Sequence, residues 1–396
     1  MISDGEAIQS RLRNRQAALA FIRRTGGCSR SDLMRELGLS RSGVNHLVSA
    51  LLEEGIIESS SDGQGSRGRR GRPSTYLQYN GSRGYVAGVD LGHGHVTVAL
   101  ADLNGNIHAE ATERFDVDHD PVGTVKLART LLDGLLEQAE NPVVQHIVAG
   151  IPGPLDARTG KMRTPTVLAG WRDVQTFELF QDSFEVPVTL EHDAFLGVYG
   201  EFTRGAGRGC DNLLYVKVSG GVGAAMVLGG RGYRGTSGLA GEIGHTAIPG
   251  TSELCRCGNR GCVESVVSMD TLRRQLGFAA GKTYEADEFD VREITDVAGV
   301  RILSEAGWTL GRLLAESCNC LNPQRLILGG ALGAYSQTFL EGVESAVTRF
   351  AQPAISEDVT VCVSELGTRS EIVGAVMLAA ERAVQAASTG SERVNA

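Results

Sequence analysis

Tyr85-Val-Ala-Gly-Val-Asp90-Leu91-Gly92 is an apolar run that ends in an acid and a glycine turn, and His95-Val-Thr-Val-Ala-Leu100 follows it directly. A continuous apolar run of this length, bounded by turn residues, marks a strand buried on both faces. Asn104-Gly105 then forms a hairpin turn. Residues 107–113 return as a third strand, a helix is expected over 121–140, and His146-Ile-Val-Ala-Gly-Ile151-Pro152-Gly153-Pro154 is a further strand. The pattern recurs later in the chain. Asn212-Leu-Leu-Tyr-Val-Lys-Val218 is a strand, Ser219-Gly220-Gly221-Val222-Gly223 is its glycine turn, and a second strand runs through Leu228. A long helix over 296–321, a strand at Arg325-Leu-Ile-Leu-Gly329-Gly330, a helix over 336–350, a strand over 359–364 and a helix over 371–387 complete that half. Strands alternating with helices specify α/β layers. Two halves with the same opening predict a duplicated fold with a cleft between its lobes.

Inside the second half lie Glu242-Ile-Gly-His245 and Cys255-Arg-Cys257-Gly-Asn-Arg-Gly-Cys262-Val-Glu264. Three thiolates and one imidazole are a complete tetrahedral set for Zn²⁺, leaving no position for water, so the ion would be structural. His245, Cys255, Cys257 and Cys262 are therefore the candidate metal ligands. The alternative, ordinary buried thiols, does not explain cysteines separated by glycines rather than by apolar residues. A zinc loop over 242–264 would staple a segment that cannot pack itself and would fix the carboxylates of Glu242 and Glu264 beside it.

At 396 residues the chain exceeds one ordinary core. No apolar run approaches the ~20 residues of a membrane span, and Met1-Ile-Ser-Asp-Gly-Glu6 lacks the basic-then-apolar pattern of a secretory signal. Cysteines clustered as a metal site rather than a disulfide framework point to a reducing cytoplasm and no membrane. Charge is unevenly spread. Residues 1–84 hold thirteen arginines against eight acids, a net of +5, so −14 falls on the remainder of a chain whose total is −9. A basic head on an acidic body indicates that the head alone meets a polyanion.

The head has the pattern of a DNA reader. A first helix is expected over 10–24, with Leu12, Leu19, Phe21 and Ile22 as apolar positions. Ser29-Arg-Ser-Asp32 is a capping box with Asp in place of the usual Glu; Leu33, Met34 and Leu37 form the buried stripe behind it, and Gly38 ends it. Ser40 caps a third helix with Val44, Leu47, Val48, Leu51 and Leu52 at helical spacing. Helix, short turn, helix is the geometry of a helix-turn-helix, and strands near 56–58 and 75–79 add a β-wing. Ser40, Arg41, Ser42, Asn45 and His46 at the exposed start of the third helix suit phosphate and base-edge contacts in a major groove. The wing, Gly65-Ser-Arg67-Gly-Arg69-Arg70-Gly71-Arg72-Pro73, resembles an AT-hook. Arg69, Arg70 and Arg72 are its candidate contacts, since a narrow minor groove concentrates negative potential. A solvated polar face and a flexible charged linker are the blander readings of the same two segments.

These residues together resemble the ROK family (repressors, open reading frames and kinases), and in particular its transcriptional regulators of sugar operons, over about residues 10–385. The most specific carriers are Glu242-x-Gly-His245 and the Cys255 to Glu264 run. Asp90-x-Gly92, Pro152-Gly-Pro154, Gly170-Trp171, Glu191-His-Asp193-Ala194, Ser219-Gly-Gly-Val-Gly223 and Gly329-Gly330 support them. The resemblance implies a winged helix-turn-helix with a basic wing over 1–80. Over 81–396 it implies a two-lobed α/β domain of the actin-like ATPase (ribonuclease H-like) fold, with a sugar in the interlobe cleft and zinc beside it. It further implies a homodimer, or a dimer of dimers, whose paired heads read a palindromic operator in double-stranded DNA.

The resemblance also assigns roles. Asp193 matches the family's catalytic base, and Asp193, Glu242, His245 and Glu264 match residues that bind sugar hydroxyls, as carboxylates do by accepting from vicinal pairs. His192 stands where the family has Asn before that Asp, and Val167 where it has Asn before Gly-Trp. The kinases follow their first strand with Asp-x-Gly-Gly-Thr, whereas here His93 replaces the second glycine and the Thr is gone. The second loop also lacks the kinases' Thr. The expected function is a sugar-responsive DNA-binding regulator of carbohydrate uptake or catabolism genes, not an enzyme, with Asp193 a vestigial base. Repression relieved by sugar is the commoner family logic. The alternatives are an ATP-dependent sugar kinase with a fused DNA-binding head, and a DNA-binding protein whose body binds no ligand.

Overall fold

A computed structural model of the chain describes residues 4–60, 76–81, 84–153, 155–156, 160–162, 168–285 and 289–390. The head consists of α1 (Asp4–Arg24), β1 (Cys28–Ser29), α2 (Arg30–Leu37), α3 (Arg41–Glu53), β2 (Ile57–Ser60) and β3 (Tyr76–Tyr79). The caps read from the sequence set its helices. Ser29 Oγ accepts from the Asp32 N–H while Asp32 Oδ2 accepts from the Ser29 N–H, and Gly38 closes α2 in the left-handed conformation at φ 63°. Ser40 Oγ accepts from the Gly43 N–H to open α3. Val44, Val48 and Leu51 of α3 pack with Leu33 of α2 and Leu19 and Ile22 of α1 in one apolar cluster. β2 and β3 pair antiparallel, Ile57 opposite Tyr79 and Ser60 opposite Tyr76, as the β-wing requires. Two features depart from expectation: α1 begins well before residue 10, and β1 adds a third, two-residue strand beside β3.

The body opens with β4 (Tyr85–Leu91), β5 (His95–Asp102), β6 (Ile107–Arg114), α4 (Pro121–Gln138), β7 (Val144–Ile151), α5 (Thr176–Ser183), β8 (Val188–His192) and α6 (Asp193–Arg204). It continues with β9 (Leu213–Val218), β10 (Val222–Leu228), β11 (Arg231–Tyr233), α7 (Glu264–Val267), α8 (Met269–Ala280), α9 (Val297–Leu321), β12 (Arg325–Gly329), α10 (Gly330–Tyr335), α11 (Gln337–Phe350), α12 (Pro353–Asp358), β13 (Thr360–Val363) and α13 (Ser370–Gly390).

Two five-stranded sheets result, ordered β6-β5-β4-β7-β8 and β11-β10-β9-β12-β13. In each, the first three strands form an antiparallel meander and the last two lie parallel to the first. The shared order is the duplication seen in the sequence, and the architecture is a winged helix-turn-helix on an actin-like two-lobed domain. Six of the seven residues of β4 are buried because α4 and α13 cover its two faces. The strand ends that carry Asp90, Ile151 and Val218 open toward the cleft between the lobes, where ligands bind in open α/β sheets.

Candidate metal centre and interlobe cleft

One ligand atom each from His245, Cys255, Cys257 and Cys262 lies within 4.8 Å of every other. His245 Nδ1 is 3.5 Å from Cys255 Sγ, and the sulfurs of Cys257 and Cys262 are 3.7 Å apart. Zn–S bonds of ~2.3 Å at tetrahedral angles place sulfurs about 3.8 Å apart, so the cluster has the span of a closed four-ligand metal site. Burial pushes the Cys255 thiol up and the Cys262 thiol up to about 12, so thiolates at these two positions need a cation to hold them. The other imidazole nitrogen, His245 Nε2, points away from the sulfurs to Glu242 Oε2 at 3.8 Å.

That second nitrogen leads into the cleft, a space of about 710 Å³ whose walls include His192, Asp193, Glu242, His245 and Glu264. The five residues singled out from the sequence for this site are brought together. His192 Nε2 lies 3.9 Å from Glu242 Oε1, so Glu242 sits between two imidazoles. Burial raises its carboxyl above the ordinary value, against the pull of His192 and His245. Glu264 is more committed than expected: Oε2 accepts from the Val222 N–H at 3.1 Å, and Oε1 lies 3.6 Å from Arg256 Nε.

Asp193 opens α6 at the floor of the cleft, only 7% exposed. Its Oδ1 accepts from the Ala194 N–H at 2.6 Å, and its Oδ2 is held by Lys217 Nζ at 2.8 Å. Burial alone would raise the Asp193 carboxyl, but Lys217 and then His192 hold it below the usual carboxylate range. Lys217 also lies 3.5 Å from Glu371 Oε1, which accepts from Tyr215 Oη at 3.0 Å. Burial disfavours the ammonium, yet Asp193, Glu371 and Asp90 together keep Lys217 charged, its pKa above the ordinary lysine value. The compensation is incomplete. Burial, with Asp90 and Asp193 adding to it against Lys217, leaves the Glu371 carboxyl pushed up to about 7. Lys217 and Glu371 were not picked out from the sequence. A lone lysine in the apolar run Leu213-Leu-Tyr-Val-Lys217-Val218 was the available signal for the first. Glu371 comes from a distant helix start, with no local mark.

His93 also lines the cleft. Its Nδ1 is 2.6 Å from Asp118 Oδ1, and a β-carbon added at Gly220 would lie 3.2 Å from its Cδ2. The ring thus reaches from the first glycine turn against the second. Trp171, fully buried, donates from Nε1 to the Val117 carbonyl and fixes the loop that carries Asp118.

On the head, Ser40, Arg41, Ser42, Asn45 and His46 are all exposed, on the side of α3 opposite Val44 and Val48. The Ser40 hydroxyl is engaged in the cap and lies 3.0 Å from Ser42 Oγ. Arg69, Arg70 and Arg72, and Val167 in the body, lie outside the described residues. Among the described residues no helix is long and apolar enough to cross a membrane.

Comparison with known proteins supplies a context for this geometry. A model of the ROK family matches residues 86–382, and one described as winged helix-turn-helix DNA-binding matches residues 11–58. A xylose repressor of Bacillus spizizenii is 29% identical over 363 residues, covering 91% of this chain and 93% of that protein. Among solved structures, a ROK family transcriptional regulator homologous to the Escherichia coli Mlc protein superposes with a TM-score of 0.76 at 21% identity. It covers 96% of this chain and 98% of its own. A ROK family glucokinase from Streptomyces griseus, in complex with glucose and AMPPNP, superposes at 0.66 with 23% identity, covering 75% of this chain and 99% of that one. The two structures share the fold.

Proposed function

Because the chain belongs to the ROK family, we propose that it is a sugar-responsive transcriptional repressor rather than a sugar kinase. The observation that carries this reading is the union, in one chain, of a winged head with a cleft whose would-be base, Asp193, is clamped by the chain's own Lys217. A kinase base must accept a proton from a sugar hydroxyl. An anion with one oxygen on an ammonium and the other on a backbone amide is a poor acceptor but a well-fixed hydrogen-bonding group. The His93 ring between the two glycine turns opposes the close backbone approach that nucleotide phosphates need, which also favours a sensor.

In this reading Asp193, His192, Glu242, His245 and Glu264 bind sugar hydroxyls. His245, Cys255, Cys257 and Cys262 hold a structural Zn²⁺. When bound, that ion closes the 242–264 loop and fixes the imidazole whose Nε2 faces Glu242. A reducing, cytoplasmic setting keeps the three thiols free for this role. Ser40, Arg41, Ser42, Asn45 and His46 meet the major groove, while Arg69, Arg70 and Arg72 meet the flanking minor groove. Two heads of a homodimer, or of each pair in a dimer of dimers, read a palindromic operator. Sugar shifts the balance between a DNA-competent and an incompetent arrangement. The named relative makes D-xylose the first sugar to test.

The experiment is DNA footprinting of the region upstream of the protein's own gene, with and without D-xylose, D-glucose and N-acetyl-D-glucosamine, alongside coupled ATP-turnover assays on the same sugars. Protection relieved by one of them, without turnover, is the expected outcome. Sugar-dependent turnover at ordinary enzyme rates of ~1–1000 s⁻¹ would make the chain a kinase instead.

A further inference from the structure

We infer that α6 carries the state of the cleft to the head, and that Arg204, at its far end, is the positioning residue that makes the connection. This rests on the sugar-sensing reading above. The helix has one end in each place. Asp193, its first residue, lies on the cleft floor against Lys217. Eleven residues later, about 16 Å along the axis, Arg204 reaches the joint between body and head.

At that joint the guanidinium meets three separate pieces of chain. Nη2 donates to the Asn104 carbonyl at 2.5 Å, in the β5–β6 hairpin turn. Nε donates to Met377 Sδ at 3.4 Å, on α13. Nη1 lies against the turn that follows α1, since a β-carbon added at Gly26 would be 3.6 Å from it. Asn104 in turn lies beside Gly81, just after the head's last strand: a β-carbon at Gly81 would be 2.6 Å from its Nδ2. One side chain therefore bears on a head turn, on the hairpin beside Gly81 and on the body's last helix.

The shaft between the two ends cannot bend independently. Glu201, fully buried, accepts from the hydroxyls of Ser364 and Ser370 and from the backbone N–H groups of Ala206, Glu365 and Leu366. That ties α6 to the loop before α13, whose Glu371 returns to Lys217 in the cleft. α6 and α13 cross backbone to backbone, a β-carbon at Gly374 falling 1.8 Å from the Leu196 carbonyl oxygen. Helices this close, locked by a buried carboxylate, move as one body. A ligand that repositions Asp193 therefore repositions Arg204, and through it the head.

The test uses the full-length protein and a duplex that the wild type selects from a random pool. Sugar affinity is read by calorimetry with D-xylose, D-glucose and N-acetyl-D-glucosamine, and duplex affinity is read with and without each. In the wild type the responsive sugar is expected to change duplex affinity within the ~5–150-fold range of allosteric coupling, and in Arg204→Met to change it less than about twofold. Sugar affinity and melting temperature should stay unchanged, a separation that a merely structural role does not produce. Arg204→Lys keeps the charge and stem but spans only one of the three contacts, and should give an intermediate ratio. Wild-type ratios in both variants overturn the inference. A wild type that binds DNA but responds to none of the sugars overturns the sensing reading itself, and the coupling with it.

Discussion

At the scale of single residues, the chemistry of the cleft turns on how one ammonium is shared. Lys217 faces Asp193 at 2.8 Å and Glu371 at 3.5 Å, with the buried Asp90 adding a third negative field. One ammonium does not offset the burial of both Asp193 and Glu371, and the proton is held by Glu371. Its folded pKa is raised from 4.5 to about 7, so its contribution to stability is fully present below 4.5 and is lost as pH rises through about 7. Across that window the unfolded chain releases this proton first, and deprotonating the folded protein places a second bare anion beside Asp193. Glu371→Gln keeps an acceptor for Tyr215 Oη and removes the titration. The melting temperature of the wild type should therefore fall relative to that of Glu371→Gln as pH is raised from 4.5 to above 7. Parallel melting curves of the two proteins would show that Glu371 does not hold the proton.

At the scale of elements, what was legible in the sequence is what is specified locally. Ser29, Asp32, Gly38 and Ser40 set the bounds of α2 and α3 because caps act within three or four residues. The cluster of His245, Cys255, Cys257 and Cys262 was legible for the same reason, three of its members lying within eight positions. The 188–204 segment was not read as strand and helix, although it builds the cleft floor. β8 is only five residues long, and α6 carries Gly197 and Gly200 where propensity argues against a helix. Those glycines answer to tertiary contact: a β-carbon at Gly197 would be 2.4 Å from the Tyr215 ring. Likewise the bond from Tyr215 to Glu371 joins residues 156 positions apart, and no local pattern announces it. In the proposed reading the 242–264 loop is the opposite case, an element held by a bound ion rather than by a core. Cys257→Ser should reduce bound zinc, read by mass spectrometry of the native protein, and should loosen sugar binding while leaving the head folded. In small zinc modules the bound ion supplies ~10–16 kcal/mol of apparent folding energy. The surrounding lobe has an apolar core of its own, so the loss should appear as increased hydrogen exchange confined to 242–264. Stoichiometric zinc in that variant would remove Cys257 from the ligand set.

At the scale of the whole molecule, the charge distribution sets how the protein can approach DNA. The head carries +5 and the remaining chain −14. At physiological ionic strength fields fade over ~8 Å, so the net-acidic body repels a duplex only where it comes close, and the net-basic head favours a phosphate backbone. In the proposed reading, exposed Arg41 on α3 and the arginines of the 61–75 segment supply that attraction. Each phosphate neutralised adds about 0.9 to the magnitude of the slope of log affinity against log salt. Arg72→Ala, if Arg72 lies in the minor groove, should reduce that slope by about 1 and weaken all duplexes. It should also blunt the preference for A·T flanks, because narrow A·T grooves concentrate the potential that arginine reads. Arg41→Ala should reduce the slope by a similar amount, about 1, without changing flank preference, since a phosphate contact carries no sequence information. Titrations of both variants at several salt concentrations, on duplexes with A·T and with G·C flanks, separate the two roles. An Arg72→Ala protein with wild-type slope and undiminished A·T preference would mean that the wing does not enter the minor groove, leaving α3 as the sole reader of sequence.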